Sequence, residues 1–249
     1  MNEHHSKWQT NETAQTFLEG VRGAIPGADF QLEVISKIVS EWCPLPSKIL
    51  DLGCGDGILG RMLLDEHSTA RVIFADFSEP MLEKLRNKIV INKHATVINI
   101  DFATSAWTKG IELEKPFDII VSGFAIHHQP DDRKRELYAE IYGLLSEGGL
   151  FLNLDHVSSA TPSITKLFDS FFIDHLMKFH SNTSQSKTRK EIEEVYYYRP
   201  DKQENILAPV EIQCQWLHDI GFQDVDCFFR VFELALFGGR KTFNHHIQK

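Results

Sequence analysis

The sequence predicts a doubly wound α/β fold: a seven-stranded, mostly parallel sheet with an antiparallel C-terminal hairpin and a helical insertion after the fifth strand. Three observations lead there. Short apolar runs alternate with helical patterns from about residue 48 to residue 155. The runs are unbroken, as in Phe117-Asp118-Ile119-Ile120-Val121 and Leu150-Phe151-Leu152, which suits strands covered on both faces. Two apolar segments near the C-terminus stand too close together for a crossover, so they must pair antiparallel.

Each element has its own signal. Leu32, Ile35, Ile38, Val39 and Trp42 recur at helical spacing, and Pro44 and Pro46 close that helix before the first strand, 48–52. Strands follow at about 71–76, 96–100, 117–122 and 149–155, with helices at 79–89 and 132–145. The rhythm then breaks for about 55 residues rich in Phe, His, Ser and Tyr. Pro209 opens a further helix carrying Ile212, Trp216, Leu217 and Ile220, and Gly221 caps it. The hairpin is expected over 225–229 and 232–237, joined through Arg230 and Val231. Residues 1–249 are read as one domain, with 8–45 as an N-terminal helical cap and about 157–205 as an inserted lid.

Composition narrows the function. The chain has 249 residues, 42% of them hydrophobic, which is enough for one sizeable core. No run approaches the roughly 20 apolar residues of a membrane helix, and residues 1–10 are polar, so a cytoplasmic protein is expected. Cys43, Cys54, Cys214 and Cys227 lie far apart without a C-x-x-C pair, which argues against a zinc site or a disulfide framework. A net charge of −9 repels a phosphate backbone, so nucleic acid is not the expected partner.

The chemistry is concentrated in Asp51-Leu52-Gly53-Cys54-Gly55-Asp56-Gly57-Ile58-Leu59-Gly60, where the first strand turns into a helix. Glycines there let the backbone approach a ligand closely. Gly55 to Gly60 also fits the dinucleotide pattern G-x-G-x-x-G, a weak match on its own. Register decides against it, because Gly53 already directly follows the strand. Asp51 suits a cationic amino acid group better than a pyrophosphate. Asp76 lies 19 residues past Gly57, near the roughly 20-residue interval of a carboxylate that grips ribose hydroxyls.

As a set, these residues resemble the nucleotide-binding motif of class I S-adenosylmethionine-dependent methyltransferases, and the later elements follow that family's order. Asp101 and Phe102 resemble the pair flanking the adenine, 117–128 the fourth-strand motif, and 144–154 the helix, glycine turn and fifth strand. The resemblance runs from about residue 20 to the end. It implies S-adenosylmethionine as cofactor, held by Arg22, Asp51, Gly53, Gly55, Gly57, Asp76, Phe77, Met81, Asp101, Phe102, Ser122 and Gly123. A narrower likeness, carried by 22–27, the paired histidines and 228–241, is to the carboxy-S-adenosylmethionine synthase branch of tRNA wobble-uridine modification. There an arginine in the insertion holds the cofactor's carboxylate, and Arg199 after Tyr196-Tyr197-Tyr198 sits comparably. The glycine turn keeps the ordinary methyltransferase form, so methyl transfer to a small molecule or nucleoside is the first expectation and the synthase the second. A non-catalytic cofactor-binding module is the third.

Methyl transfer is an in-line displacement needing positioning and, for a weakly acidic nucleophile, a base. His127 is the candidate catalytic base, with His128, Tyr198 and Arg199 on the substrate side. Structural hydrogen bonding within the loop is the first reading of the histidines and catalysis the second. No metal is expected, since the acids beside Asp155-His156 are too few for a hard cation. Gly123-Phe124-Ala125-Ile126 replaces the family's Asn/Asp-Pro-Pro-Tyr signature, which disfavours adenine or glutamine amide methylation. Leu167, Phe168, Phe171, Phe172, Leu176 and Phe179 form an aromatic stripe, read first as core and second as a pocket wall.

Overall fold

The structure is a computed structural model that describes residues 24–89, 92–181, 187–198, 202 and 204–243. In chain order the elements are α1 (Ala28–Trp42), β1 (Lys48–Leu52), α2 (Ile58–Glu66), β2 (Arg71–Asp76), α3 (Glu79–Lys88), β3 (Ala95–Asn99), the short α4 (Trp107–Gly110) and β4 (Phe117–Gly123). A 3-10 turn (Ile126–His128) leads to α5 (Asp131–Leu144) and β5 (Leu145–His156). The insertion supplies α6 (Pro162–Ser181) and α7 (Arg189–Tyr198) before α8 (Val210–Ile220), β6 (Phe222–Val231) and β7 (Leu234–Lys241).

The seven strands lie in the order β3-β2-β1-β4-β5-β7-β6. β1 to β5 are parallel, and β7 is antiparallel to both its neighbours. Successive side chains of the central strands point to opposite faces, and both faces are dry. Ile49, Val72, Phe74, Ile119 and Val121 pack toward α1, α2 and α3, whereas Leu50, Leu52, Ile73 and Ile120 pack toward α5 and α8. This two-sided burial is why the strands read as unbroken apolar runs. A third cluster joins Ala24 and Leu234 to Phe168, Phe172, Leu176, Ile192 and Tyr196 of the insertion.

Connections leave β1 toward β2 and β3, then return to β4 on the other side of β1. That reversal opens a crevice above the carboxyl ends of β1 and β4, where doubly wound sheets bind ligands. The C-terminal strands are longer than expected, Phe222–Val231 and Leu234–Lys241, and two further boundaries differ. β5 starts earlier, because Leu145 already pairs with Phe117 ahead of a register shift. The hairpin turn is Phe232-Glu233 instead of Arg230-Val231, with Phe232 at φ 52°. Gly, Asn or Asp ordinarily marks such a left-handed position, and none is present to mark it. No helix among the described residues is long and apolar enough to cross a membrane.

Candidate active site

β1 ends in the glycine turn, where Gly53, Gly55 and Gly57 all have positive φ. The turn is tied to β2: the Gly53 and Cys54 N–H groups donate to the Ala75 carbonyl at 2.7 and 3.1 Å. Gly53 is also where the backbone comes closest to the fourth-strand loop, because a Cβ there would stand 2.3 Å from Cβ of Ala125. Asp51 is buried beneath the turn, and its Oδ2 accepts the Gly60 N–H at 2.8 Å, in the first turn of α2.

Asp76 ends β2. Its Oδ2 accepts the Gly55 N–H and its Oδ1 the Ser78 N–H, both at 2.8 Å. Burial pushes its carboxyl above the usual 3.8, while these N–H donors and that of Phe77 pull it back. The carboxylate therefore both braces the glycine turn and faces the crevice above it. With three N–H donors already on it, the carboxylate keeps about one acceptor position for a further donor, because an ionised carboxylate offers about four.

A cavity of about 1110 Å³ lies over these groups. Of the residues that the sequence proposes for a site, Asp51, Gly53, Gly55, Asp76, Phe77, Met81, Asp101, Phe102, Gly123 and His128 line it. Its volume is at or above the roughly 300–1,000 Å³ of small-molecule pockets, so it has room for more than one molecule. The far end is walled by Ile25, Phe30, Phe124, Leu154, Phe179 and Ile206. The aromatic stripe of α6 is thus divided: Phe168 and Phe172 are core, Phe179 is cavity wall, and Leu167 is exposed.

Other predicted site residues have different surroundings. Gly57 does not line the cavity; a Cβ there would meet Leu85 at 2.5 Å, so the position serves the packing of α2 against α3. Ser122 is fully buried, and its hydroxyl donates to the Leu52 carbonyl, fastening β4 to β1. Tyr198 is 74% exposed at the end of α7, away from the cavity. Arg22 and Arg199 lie outside the described residues. His127 is buried behind His128 and bonds Asp155 through Nδ1 at 2.5 Å.

Sequence reasoning missed Arg133 and Glu204. Arg133 lines the cavity, donates from Nε to the Phe102 carbonyl at 3.0 Å and is held by Glu140 at 2.6 Å. It thereby braces the aromatic ring beside Gly53. Glu204 reaches the wall from the loop after α7, and no local pattern marks it. Among the described residues, no group of three or more His, Cys, Asp or Glu side chains is arranged to hold a metal ion.

Residues 49–149 match the methyltransferase-domain family, which spans the glycine turn, Asp76, the 101–102 pair and the histidine loop. Over that stretch the chain is similar to the S-adenosylmethionine-dependent methyltransferases. The demethylmenaquinone methyltransferase of Leptospira interrogans is 32% identical over 125 residues, covering 50% of this chain and 49% of the relative. The chain thus spans about half the length of the first curated relatives it matches. The carboxy-S-adenosyl-L-methionine synthase of Shewanella piezotolerans is 23% identical over 228 residues, covering 90% and 88% of the two chains. In fold, the chain is similar to human N-acetylserotonin methyltransferase solved in complex with SAM. That likeness has a TM-score of 0.59 at 13% identity and covers 95% of this chain and 58% of that one.

Beside the cavity wall a buried pair, His156 and Glu233, responds to pH. His156 donates from Nε2 to Glu233 at 2.9 Å, Asn205 donates to His156 Nδ1 at 3.2 Å, and Ser159 donates to Glu233 at 2.6 Å. Burial holds the imidazole below its usual 6.5, favouring the neutral form. Burial raises the Glu233 carboxyl, but its bonds to His156 and Ser159 outweigh that and leave it below 4.5. Both depressed values stabilise the fold above the unfolded values, and that stability is lost as pH falls through the folded ones. The melting temperature should therefore fall as pH drops below 6.5 and fall further below 4.5. His156→Gln should flatten the first part of that decline, and an unchanged slope in thermal melts would contradict the assignment.

Proposed function

We propose that this chain transfers a methyl group from S-adenosylmethionine to a small-molecule or nucleoside acceptor. The observation that carries the reading is one continuous cavity running from the glycine turn and Asp76 to the apolar wall of Phe124, Leu154 and Phe179. In this reading Asp76 takes the ribose hydroxyls, Gly53 and Gly55 pack against the amino acid part, and Phe102 and Met81 border the adenine. The cofactor supplies a methyl carbon on a sulfonium, so the acceptor's lone pair takes that carbon while the carbon–sulfur pair stays on sulfur. The chain's own work is to align the two and to keep water away. Of the 157–205 segment, Phe179 and Glu204 wall the acceptor end.

Calorimetric titration tests this directly. S-adenosylmethionine should bind and a nicotinamide dinucleotide should not. Asp76→Ala should weaken cofactor binding by about 1–3 kcal/mol, the range for a hydrogen bond to a charged group. Equal affinity in the variant would remove Asp76 from the site.

A second reading, a carboxy-S-adenosylmethionine synthase-like activity, is favoured by the length over which those relatives align. It needs a cation for the added carboxylate. The guanidinium on the described wall, Arg133, is already engaged by Glu140 and Glu136; Arg199, which the resemblance offers for that role, lies outside the described residues. The mass of any ligand that copurifies separates the two readings.

A further inference from the structure

The segment after β4 is held in an unusual conformation. Phe124 has φ 53°, a left-handed value that non-glycine residues seldom adopt and that concentrates at functional sites. Its N–H donates to the Leu154 carbonyl at 2.8 Å, which locks the bend to the end of β5. The following residue, Ala125, abuts Gly53 of the glycine turn. The bend therefore delivers the next short helix, with His127 and His128, to the junction between the cofactor turn and the apolar end of the cavity.

The two imidazoles stand in different surroundings. His128 lines the cavity, and its Nδ1 lies 3.4 Å from the Glu204 carbonyl oxygen. A carbonyl only accepts, so this contact puts the proton on Nδ1 and the lone pair on Nε2. The His127 ring lies against it with centroids 4.0 Å apart. Behind it, Asp155 accepts from His127 Nδ1 at 2.5 Å, from the His156 N–H at 3.0 Å and from Asn153 at 3.3 Å. Asn153 in turn approaches the Tyr138 hydroxyl, which donates to Gln213 at 2.6 Å. The His127 carbonyl accepts the Ile206 N–H at 2.9 Å, so the ring is fastened at its backbone as well.

Buried ion pairs can often be replaced by well-packed apolar residues at no cost in stability, so stability alone does not account for this carboxylate. It does fix the orientation of His127, and through that ring the orientation of its cavity-facing neighbour. We propose that His128 is the proton acceptor for an acceptor molecule whose nucleophile arrives as O–H or N–H, and that Asp155 is a positioning residue acting through His127. The proton passes from the nucleophile to Nε2 of His128, its bonding pair stays on the nucleophile to attack the methyl carbon, and the imidazolium returns the proton to water. This assignment rests on the methyl-transfer reading and narrows the acceptor to an apolar molecule bearing a hydroxyl or amine.

Long-range nitrogen–proton NMR on the S-adenosylhomocysteine-loaded protein tests the geometry without any acceptor. His128 should show one neutral tautomer, protonated at Nδ1. Asp155→Asn should convert that signature into a tautomer mixture while S-adenosylhomocysteine affinity stays within about twofold; His127→Gln should do the same if the first variant folds poorly. An Nε2-protonated His128, or a signature unchanged in both variants, would overturn the proposal. A panel of phenols and amines adds the chemical readout: His128→Gln should lower turnover about 10²–10⁴-fold, the usual worth of a general base. Equal turnover would equally overturn it. Loss of cofactor binding by the unaltered chain would instead count against the methyl-transfer reading itself.

Discussion

Gly238→Ala should lower the melting temperature by about 6–12 °C, reflecting about 3 kcal/mol of overpacking at roughly 2–4 °C per kcal/mol for a domain of this size. Gly238 lies in β7 opposite Leu152 of β5 and Asp226 of β6. A Cβ there would sit 2.0 Å from the Phe151 carbonyl oxygen and 3.0 Å from its carbon. Both are backbone atoms of an interior strand, so no rotamer change relieves the contact. Either the β5 carbonyl turns out of its ladder or β7 moves away from β5. Gly143, in α5, has nothing within 4 Å of the corresponding Cβ position. Gly143→Ala should therefore be neutral or add up to about 1 kcal/mol through helix propensity. Scanning calorimetry on the pair distinguishes collision from a general effect of losing glycine: similar shifts in both would rule the collision out.

Gly53→Ala is expected to remove at least about tenfold of the S-adenosylmethionine affinity, which is 1.4 kcal/mol or more. Two costs coincide at this position. Alanine at φ 66° pays about 1–2 kcal/mol for the left-handed conformation. Its methyl group would also stand 2.3 Å from Cβ of Ala125 and 3.3 Å from the Phe102 ring. Relief requires the glycine turn and the histidine loop to separate, which opens the crevice where the cofactor's amino acid part is proposed to lie. Calorimetry should show the loss in binding even when the variant melts only a few degrees below the parent. Retained affinity would mean that the loop after β4 yields freely and does not shape the site.

The parallel half of the sheet was legible because burial on two faces leaves apolar runs that nothing else in the chain imitates. Glycines and acids at strand ends were legible for a related reason, since their roles depend on neighbours a few residues away. The hairpin was placed two residues early: Phe232 reads as a strand residue, yet it occupies the left-handed corner of the turn. Glu233 beside it is buried against His156, a pairing between residues far apart in sequence. Likewise Asp155 and His127 meet only because β4 and β5 are neighbours. Local patterns proposed His127 for the chemistry, whereas the three-dimensional arrangement puts His128 on the wall and His127 behind it. Gly57 and Ser122 fit the motif's spacing but are occupied by packing and by a strand-to-strand hydrogen bond.

The place of β7 inside the sheet bears on how the sheet can be assembled. β1 to β5 can assemble from successive strand–helix units, but the outer edge of β5 is covered only by residues 234–241. His156 pairs with Leu234 and Leu150 with Arg240, contacts that close loops of roughly 80–90 residues. Such non-local pairing is slow. A chain in which β1 to β5 pair before β7 docks would present a five-stranded sheet with an open, apolar edge, the geometry that recruits strands from other molecules. Refolding yield should fall steeply with protein concentration, and truncation ahead of residue 234 should give aggregates in place of a smaller domain.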